Sequence, residues 1–231
     1  MEDSKDIRYI LKIGTEPHMR AFLDRGEMFF NTVDWFRQTE LNQERFDGSE
    51  GASSIQQVVW IKLRAEDGKE FYFSKPGHPR HEASHGKLAS ANVITHEERT
   101  KGNIYSCIGV GVNESGVLGD GELDPRFMEF GSVVVVIANP NVFLTRVETA
   151  LKNRGLRYVL GLVKYYDPDV YEGELNVFSK KIGHAYQKEI RVWVDNHEDK
   201  PLKIEVGSIR DIARGFRLHG QFPSIETHAT R

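Results

Sequence analysis

The chain has 231 residues, 39% of them hydrophobic and 28% charged, with a formal net charge of −3. That length suits one sizeable core and is short for two, and the composition excludes a disordered chain. A sequence pI near 6.3 leaves no global basic excess, which excludes sequence-blind coating of nucleic acid through its phosphates.

The opening, Met1-Glu2-Asp3-Ser4-Lys5-Asp6, is acidic and polar and holds no signal-peptide core. Residues 7–13 predict a first strand. A helix follows: Thr15 is placed to cap it, Pro17 suits its first turn, Met19, Phe22 and Leu23 share a face, and Gly26 ends it. Residues 27–30 read as a short strand, and Asn31-Thr32 lead into a helix carrying Val33, Trp35 and Phe36. Residues 41–54 are polar and glycine-containing, a loop. Residues 55–65 alternate and are rich in β-formers, Asp67-Gly68 makes a turn, and residues 70–73 return, which predicts a hairpin. Residues 74–91 carry Pro, Gly and His and read as a long surface excursion.

Residues 104–108 predict a strand. Cys107 lies in this apolar run and is expected as a small buried side chain; a lone cysteine excludes an intrachain disulfide and a multi-cysteine zinc site. Residues 113–121 form a glycine-rich loop without the spacing of a dinucleotide fingerprint. Asp124-Pro125 starts a short helix. Residues 132–138 predict a strand buried on both faces, and their apolar core, the longest in the chain, is too short to span a bilayer. Asn141 is placed to cap a helix running to Asn153, with Val142, Leu144, Val147 and Leu151 as its stripe and Gly155 at its end. Residues 156–166, 189–194 and 202–206 predict strands, and Ser208 caps a last short helix. Residues 219–231 read as a fraying tail. Roughly nine strands and five helices result, without the regular alternation of a doubly wound sheet, so the expectation is a single-domain, cytoplasmic α+β protein spanning residues 1–231.

Three stretches carry candidate chemistry. In Tyr186-Gln187-Lys188-Glu189-Ile190-Arg191 a loop enters a strand. A carboxylate there has backbone on one side to fix it and open space on the other, which suits holding a ribose hydroxyl and stabilising positive charge. Glu189 and Arg191 are two apart on a strand and share a face, so an ion pair is the other reading. In Arg45-Phe46-Asp47-Gly48-Ser49-Glu50-Gly51, two carboxylates, an arginine and glycines form either a cofactor-contacting loop or a solvated turn. Arg37 and Arg45 are the candidates there for an anionic ligand. His78, His81 and His85 have spacing able to hold a metal on a helix, but Pro79, Gly77 and Gly86 argue against one.

Arg8 on the first strand, Ser106 in Tyr105-Ser106-Cys107, and Gln187-Lys188-Glu189 resemble, in order and broad spacing, the ADP-ribosyltransferases of the Arg-Ser-Glu type, including bacterial toxin and phage-defence members. The resemblance implies a split β-sandwich with flanking helices and NAD as substrate. Glu189 would then bind a ribose hydroxyl and stabilise an oxocarbenium-like transition state, and Gln187 would face the acceptor. Arg8 would hold the pyrophosphate or nicotinamide ribose of NAD, Ser106 would line the nicotinamide ribose pocket, Tyr9 would stack on nicotinamide, and Arg45 would contact the cofactor. It implies a macromolecular acceptor, protein, RNA or DNA, an antitoxin or regulatory partner, and no metal. The sequence departs from the family in having Ser106-Cys107-Ile108 where a Ser-Thr-Ser is usual. It also places Arg8 and Tyr9 on opposite faces of one strand. A non-catalytic α+β binding protein and a metal-dependent hydrolase built on the histidine loop are the alternatives.

Overall fold

The computed structural model of the chain describes residues 7–38, 47–79, 81–82, 84–96, 100–111, 123–198 and 200–219. Arg45, the glycine-rich stretch after residue 112 and the tail beyond His219 lie outside these. In chain order the elements are β1 (Ile7–Gly14), α1 (Glu16–Arg25), β2 (Glu27–Thr32), α2 (Val33–Gln38), β3 (Ser54–Gln57), β4 (Trp60–Arg64), β5 (Glu70–Ser74), β6 (Gly86–Lys87), β7 (Asn92–Thr95) and β8 (Asn103–Gly111). A 3-10 turn (Pro125–Phe130), β9 (Val133–Ile137), α3 (Pro140–Asn153), β10 (Tyr158–Leu162), β11 (Lys164–Tyr166), β12 (Gly173–Glu174) and β13 (Ser179–Lys181) follow. A second 3-10 turn (Ile182–Gln187), β14 (Glu189–Val194), β15 (Leu202–Glu205) and β16 (Ala213–Arg217) complete them. The fold is α+β, as the irregular element order predicts. No helix among the described residues is long and apolar enough to cross a membrane.

The main sheet runs β10-β14-β8-β1-β9-β16, and its described pairings are antiparallel. The long strand β8 makes it fork. At its C-terminal end β8 pairs with β1, from Leu11↔Ile108 to Ile7↔Gly111; at its N-terminal end the same edge pairs with β2 through Asn31↔Ile104 and Thr32↔Asn103. β2 carries β15 on its other side. Between the two branches the edge of β8 has no strand partner among the described residues, and the side chain of Lys12 enters the gap. Its ammonium lies 4.2 Å from the Tyr105 ring centroid and donates to Ser106 O at 2.6 Å. A backbone carbonyl that the ladder leaves open is thus satisfied by a charge-assisted bond.

Each face of the sheet has its own cover. Ile10, Tyr105, Cys107, Ile190, Val192 and Val194 join Met19, Phe22 and Leu23 of α1 and Phe143, Val147 and Leu151 of α3 in the largest core. Phe22 meets Phe143 edge-on with ring centroids 5.8 Å apart. The opposite face carries Leu11, Ile13, Ile108, Val110 and Val134, capped by Phe127, with Tyr9 and Tyr186 packed against them. Cys107 is buried as expected, and burial pushes its thiol up to about 11, which leaves it protonated and inert.

Local signals explain most element ends. Thr15 precedes α1, although its hydroxyl meets His18 Nδ1 at 3.1 Å and not a backbone N–H. Gly26 follows α1 in the left-handed region at φ 63. The cap of α3 is Asn139, whose Oδ1 accepts from Val142 N at 3.2 Å, and not Asn141, because Pro140 is pre-set for the first helical position. The predicted strand over residues 55–65 is two strands in two sheets. β3 pairs with β7 and β12, while β4 pairs with β5 across the expected turn at Asp67-Gly68. The change of partner occurs at Val58 and Val59, which bond to Ala91 O and Lys75 N. Residues 156–166 likewise divide at Val163, whose N–H makes a last bond to β14 at Glu189 O before Lys164 N–H turns to Phe178 O. After Ser208 the chain makes a turn, not the expected helix, and then pairs β16 onto β9. The edge of the apolar β9 requires a partner, and that requirement overrides the capping signal.

Gly131, between the first 3-10 turn and β9, sits at φ 150, and a Cβ there would lie 2.2 Å from the Gly14 carbonyl carbon. Gly68 has φ 83 and open space around it. Gly131→Ala is therefore expected to cost at least about 3 kcal/mol in urea unfolding, because backbone must move as well as adopt a disfavoured φ. Gly68→Ala is expected to cost only about 1–2 kcal/mol, the strain term alone. Equal losses would contradict the close approach at Gly131.

Candidate functional site

β14 is a central strand with both faces buried, yet alternate positions on one face are Glu189 and Arg191. The face turned to α1 and α3 holds Ile190, Val192 and Val194. Charged side chains in such a place are costly unless paired and hydrogen-bonded. Arg191, 1% exposed, donates from Nε to Glu189 Oε1 at 2.7 Å. Its Nη1 and Nη2 take Glu50 in a bidentate fork at 2.5 and 3.1 Å, and Nη1 also donates to Val177 O. Lys180 of β13 donates to Glu189 Oε2 at 3.3 Å and to Gln187 Oε1 at 2.7 Å. Ser106 on the adjacent strand lies opposite Arg191 in register and donates its hydroxyl to Glu189 Oε1. The centre comprises two carboxylates, one guanidinium and one ammonium, all but closed to solvent.

Local backbone geometry brings these groups together. Lys188, between Gln187 and Glu189, has φ 43, the one positive value at a non-glycine residue among the described residues. This left-handed step ends the 3-10 turn and lets Gln187 and Glu189 both reach Lys180. Tyr165 supports the junction by accepting Glu189 N–H at its hydroxyl, 2.9 Å away. Glu50 comes from the turn after α2, where Arg37 holds Glu50 O at 2.6 Å and Gly51 O at 3.3 Å while pairing with Asp34 at 2.6 Å.

Burial alone would raise the Glu189 carboxyl. The charges of Arg191 and Lys180 and the hydrogen bonds from Arg191 and Ser106 outweigh it and hold the group well below the usual carboxylate range. Burial dominates at Glu50 and moves its carboxyl up, against the pull of Arg191 and Lys180. Burial opposes the charge of Arg191 too, but Glu189 and Glu50 more than compensate, so it stays a cation.

The structure thus brings Ser106, Gln187 and Glu189 into one centre and adds Lys180, Arg191 and Glu50. Arg8 is elsewhere: it is exposed, at a register irregularity between Ile7 and Tyr9. Tyr9 packs against the cluster of Ile108 and Val110, with Tyr186, on the face that carries Ser106 and Glu189. The stretch holding Glu50 is no solvated turn, since Asp47, Ser49 and Glu50 are buried. Two of the histidines bond within the fold: His85 Nδ1 accepts Tyr72 N–H at 3.1 Å and His81 Nδ1 lies 3.3 Å from Ser74 Oγ. No group of three or more potential metal ligands occurs among the described residues. Two shallow cavities, about 380 Å³ between residues 54–57 and 172–174 and about 430 Å³ along the exposed side of α1, both lie away from Glu189.

The signal that sequence reading could have used is the pair of charges in Glu189-Ile190-Arg191-Val192-Trp193-Val194, a pattern otherwise suited to a two-sided buried strand. The contributions of Lys180 and Glu50 carry no such local signal, since neither lies on a strand of the main sheet. Comparison with protein-family models, curated proteins and solved structures finds no match for the chain.

The depressed Glu189 carboxyl makes the fold acid-sensitive with a definite sign. Its stabilisation is fully present above the unfolded glutamate value of about 4.3 and is lost as pH falls toward the lower folded value. Glu50, shifted up, acts in the opposite sense and offsets part of the loss. Between about pH 6 and about pH 3 the wild-type protein is therefore expected to lose more stability than Glu189→Gln, measured by urea unfolding at each pH. Parallel losses would place the acid sensitivity elsewhere.

Proposed function

We propose that this chain takes NAD as a substrate and transfers ADP-ribose to a macromolecular acceptor, protein or nucleic acid, with Glu189 as the central carboxylate. The observation that carries the reading is the hydrogen bond from Ser106 on β8 to Glu189 on β14. The strands β14, β8 and β1, which bear Glu189, Ser106 and Tyr9, are consecutive in the sheet. An ionised carboxylate offers about four acceptor positions. Ser106, Arg191 and Lys180 use three, which leaves one for a ribose hydroxyl. In the transfer, the bond between the ribose C1′ and the nicotinamide nitrogen breaks and nicotinamide leaves with the electron pair. The acceptor's nucleophile supplies the pair for the new bond to C1′ and gives its proton to solvent. A fixed negative charge at Glu189 stabilises the positive charge that develops on the sugar between these events. Gln187, oriented by Lys180, faces the acceptor, and Tyr9 offers a ring on the same face. A toxin or phage-defence effector is the setting this reading implies.

One observation favours a second reading, a binding protein without chemistry. Glu189 is 4% exposed and already paired with two cations. In that case the ionic centre is purely a structural clamp.

Nicotinamide release separates the two. The wild-type protein is expected to release nicotinamide from NAD, and Glu189→Gln, folded by circular dichroism, to do so at least about 100-fold more slowly. Absence of release by the wild type, with no shift in its melting temperature on adding NAD, would favour the clamp.

A further inference from the structure

The turn of residues 47–51 supplies Glu50 to the buried centre without joining any strand ladder. Bonds within the turn close it, and Asp47 N–H ties it to Phe36 O at 3.1 Å. Glu50 N–H donates to Asp47 O at 2.9 Å, Ala52 N–H donates to Ser49 O at 3.0 Å, and Asp47 Oδ1 accepts the Ser49 N–H at 3.0 Å and its hydroxyl at 2.7 Å. Gly51 leaves the turn at φ 64, where a Cβ would meet Val33 Cγ1 at 2.7 Å. Arg37 ties the unit down through the carbonyls of Glu50 and Gly51.

Inside, Glu50 occupies the Nη1–Nη2 edge of Arg191 in a bidentate fork. The same geometry by which a guanidinium holds a carboxylate also fits a phosphate. The turn is an awkward occupant of that edge. Asp47 is 3% exposed, and its buried Oδ2 has no hydrogen-bond partner among the described residues. A buried carboxylate oxygen without such a partner is costly to keep. Burial also disfavours the ionised form of Glu50, whereas Glu189 is held firmly ionised by the same arginine. Of the two carboxylates on Arg191, Glu50 is the one carried by a turn outside the strand ladders.

We propose that Glu50 is a built-in stand-in for the phosphate-bearing part of the ligand: the 47–51 turn keeps the outer edge of Arg191 occupied, and a pyrophosphate takes that edge when the turn lifts. The inference rests on reading the Glu189 centre as the NAD site, and it gives Arg191 the pyrophosphate and Glu50 the role of competitor. The apparent affinity of the resting protein for such an anion is lowered by the fraction of molecules in which the turn is closed.

The test is calorimetric titration of wild type, Glu50→Ala, Glu50→Gln and Arg37→Ala with inorganic pyrophosphate, with folding followed by circular dichroism. Both Glu50 variants are expected to bind pyrophosphate at least about 10-fold more tightly than wild type, and Arg37→Ala to gain less, because it loosens the turn but keeps the carboxylate. Unchanged binding in the folded variants overturns the proposal; if the Glu50 variants do not fold, Arg37→Ala decides alone. Nicotinamide release measured alongside separates this from the NAD reading. Tighter pyrophosphate binding without any release keeps the anion site and sinks NAD as substrate. Glu189-dependent release without tighter binding keeps NAD and sinks the stand-in.

Discussion

A guanidinium that is 1% exposed in the middle of a sheet sets the terms for everything around it. Arg191 has to be matched by negative charge and by acceptors for its N–H groups, and they arrive from distant parts of the chain. Glu189 comes from its own strand, Glu50 from the turn after α2, and a carbonyl from Val177. Lys180 adds a second cation, paired with Glu189. Removing one member of such a set leaves another buried and uncompensated, at a cost of about 3–5 kcal/mol. The arginine therefore fixes where the loops from both halves of the chain dock on the sheet.

The fork in the sheet governs what lies beside this centre. Because β8 shares one edge between β1 and β2, the backbone of Ser106 is left to a side chain, Lys12, while its own hydroxyl turns to Glu189. Fold and site meet at this residue: its main chain closes the gap in the sheet and its side chain orients the carboxylate. The same face carries Tyr9 and Tyr186, so the carboxylate, the serine and two aromatic rings lie on one side of the sheet, away from the helical layer.

Element type was legible wherever a signal was local. The apolar spacing of α1 and α3, Gly26, Asp124-Pro125, the Asp67-Gly68 hairpin and the all-apolar β9 all depend on residues close together in the chain. The cap of α3 was displaced by two residues because Pro140 outcompetes Asn141 for the first turn. Periodicity predicts single strands over 55–65 and 156–166 because it says nothing about a change of partner at Val58 or Val163.

The sequence by itself determined that this is an α+β chain and that Glu189 and Arg191 share a face, since both follow from residue periods of about two and 3.6. Only the tertiary structure decided which of Arg8 and Tyr9 lies on the face of Glu189, that Ser106 binds that carboxylate, and that Lys180 and Glu50 complete the centre. The reason is physical: a period places side chains on faces, but a buried charge is neutralised across strands and loops, at sequence separations of up to 141 residues, and no local pattern encodes which distant partner will meet it.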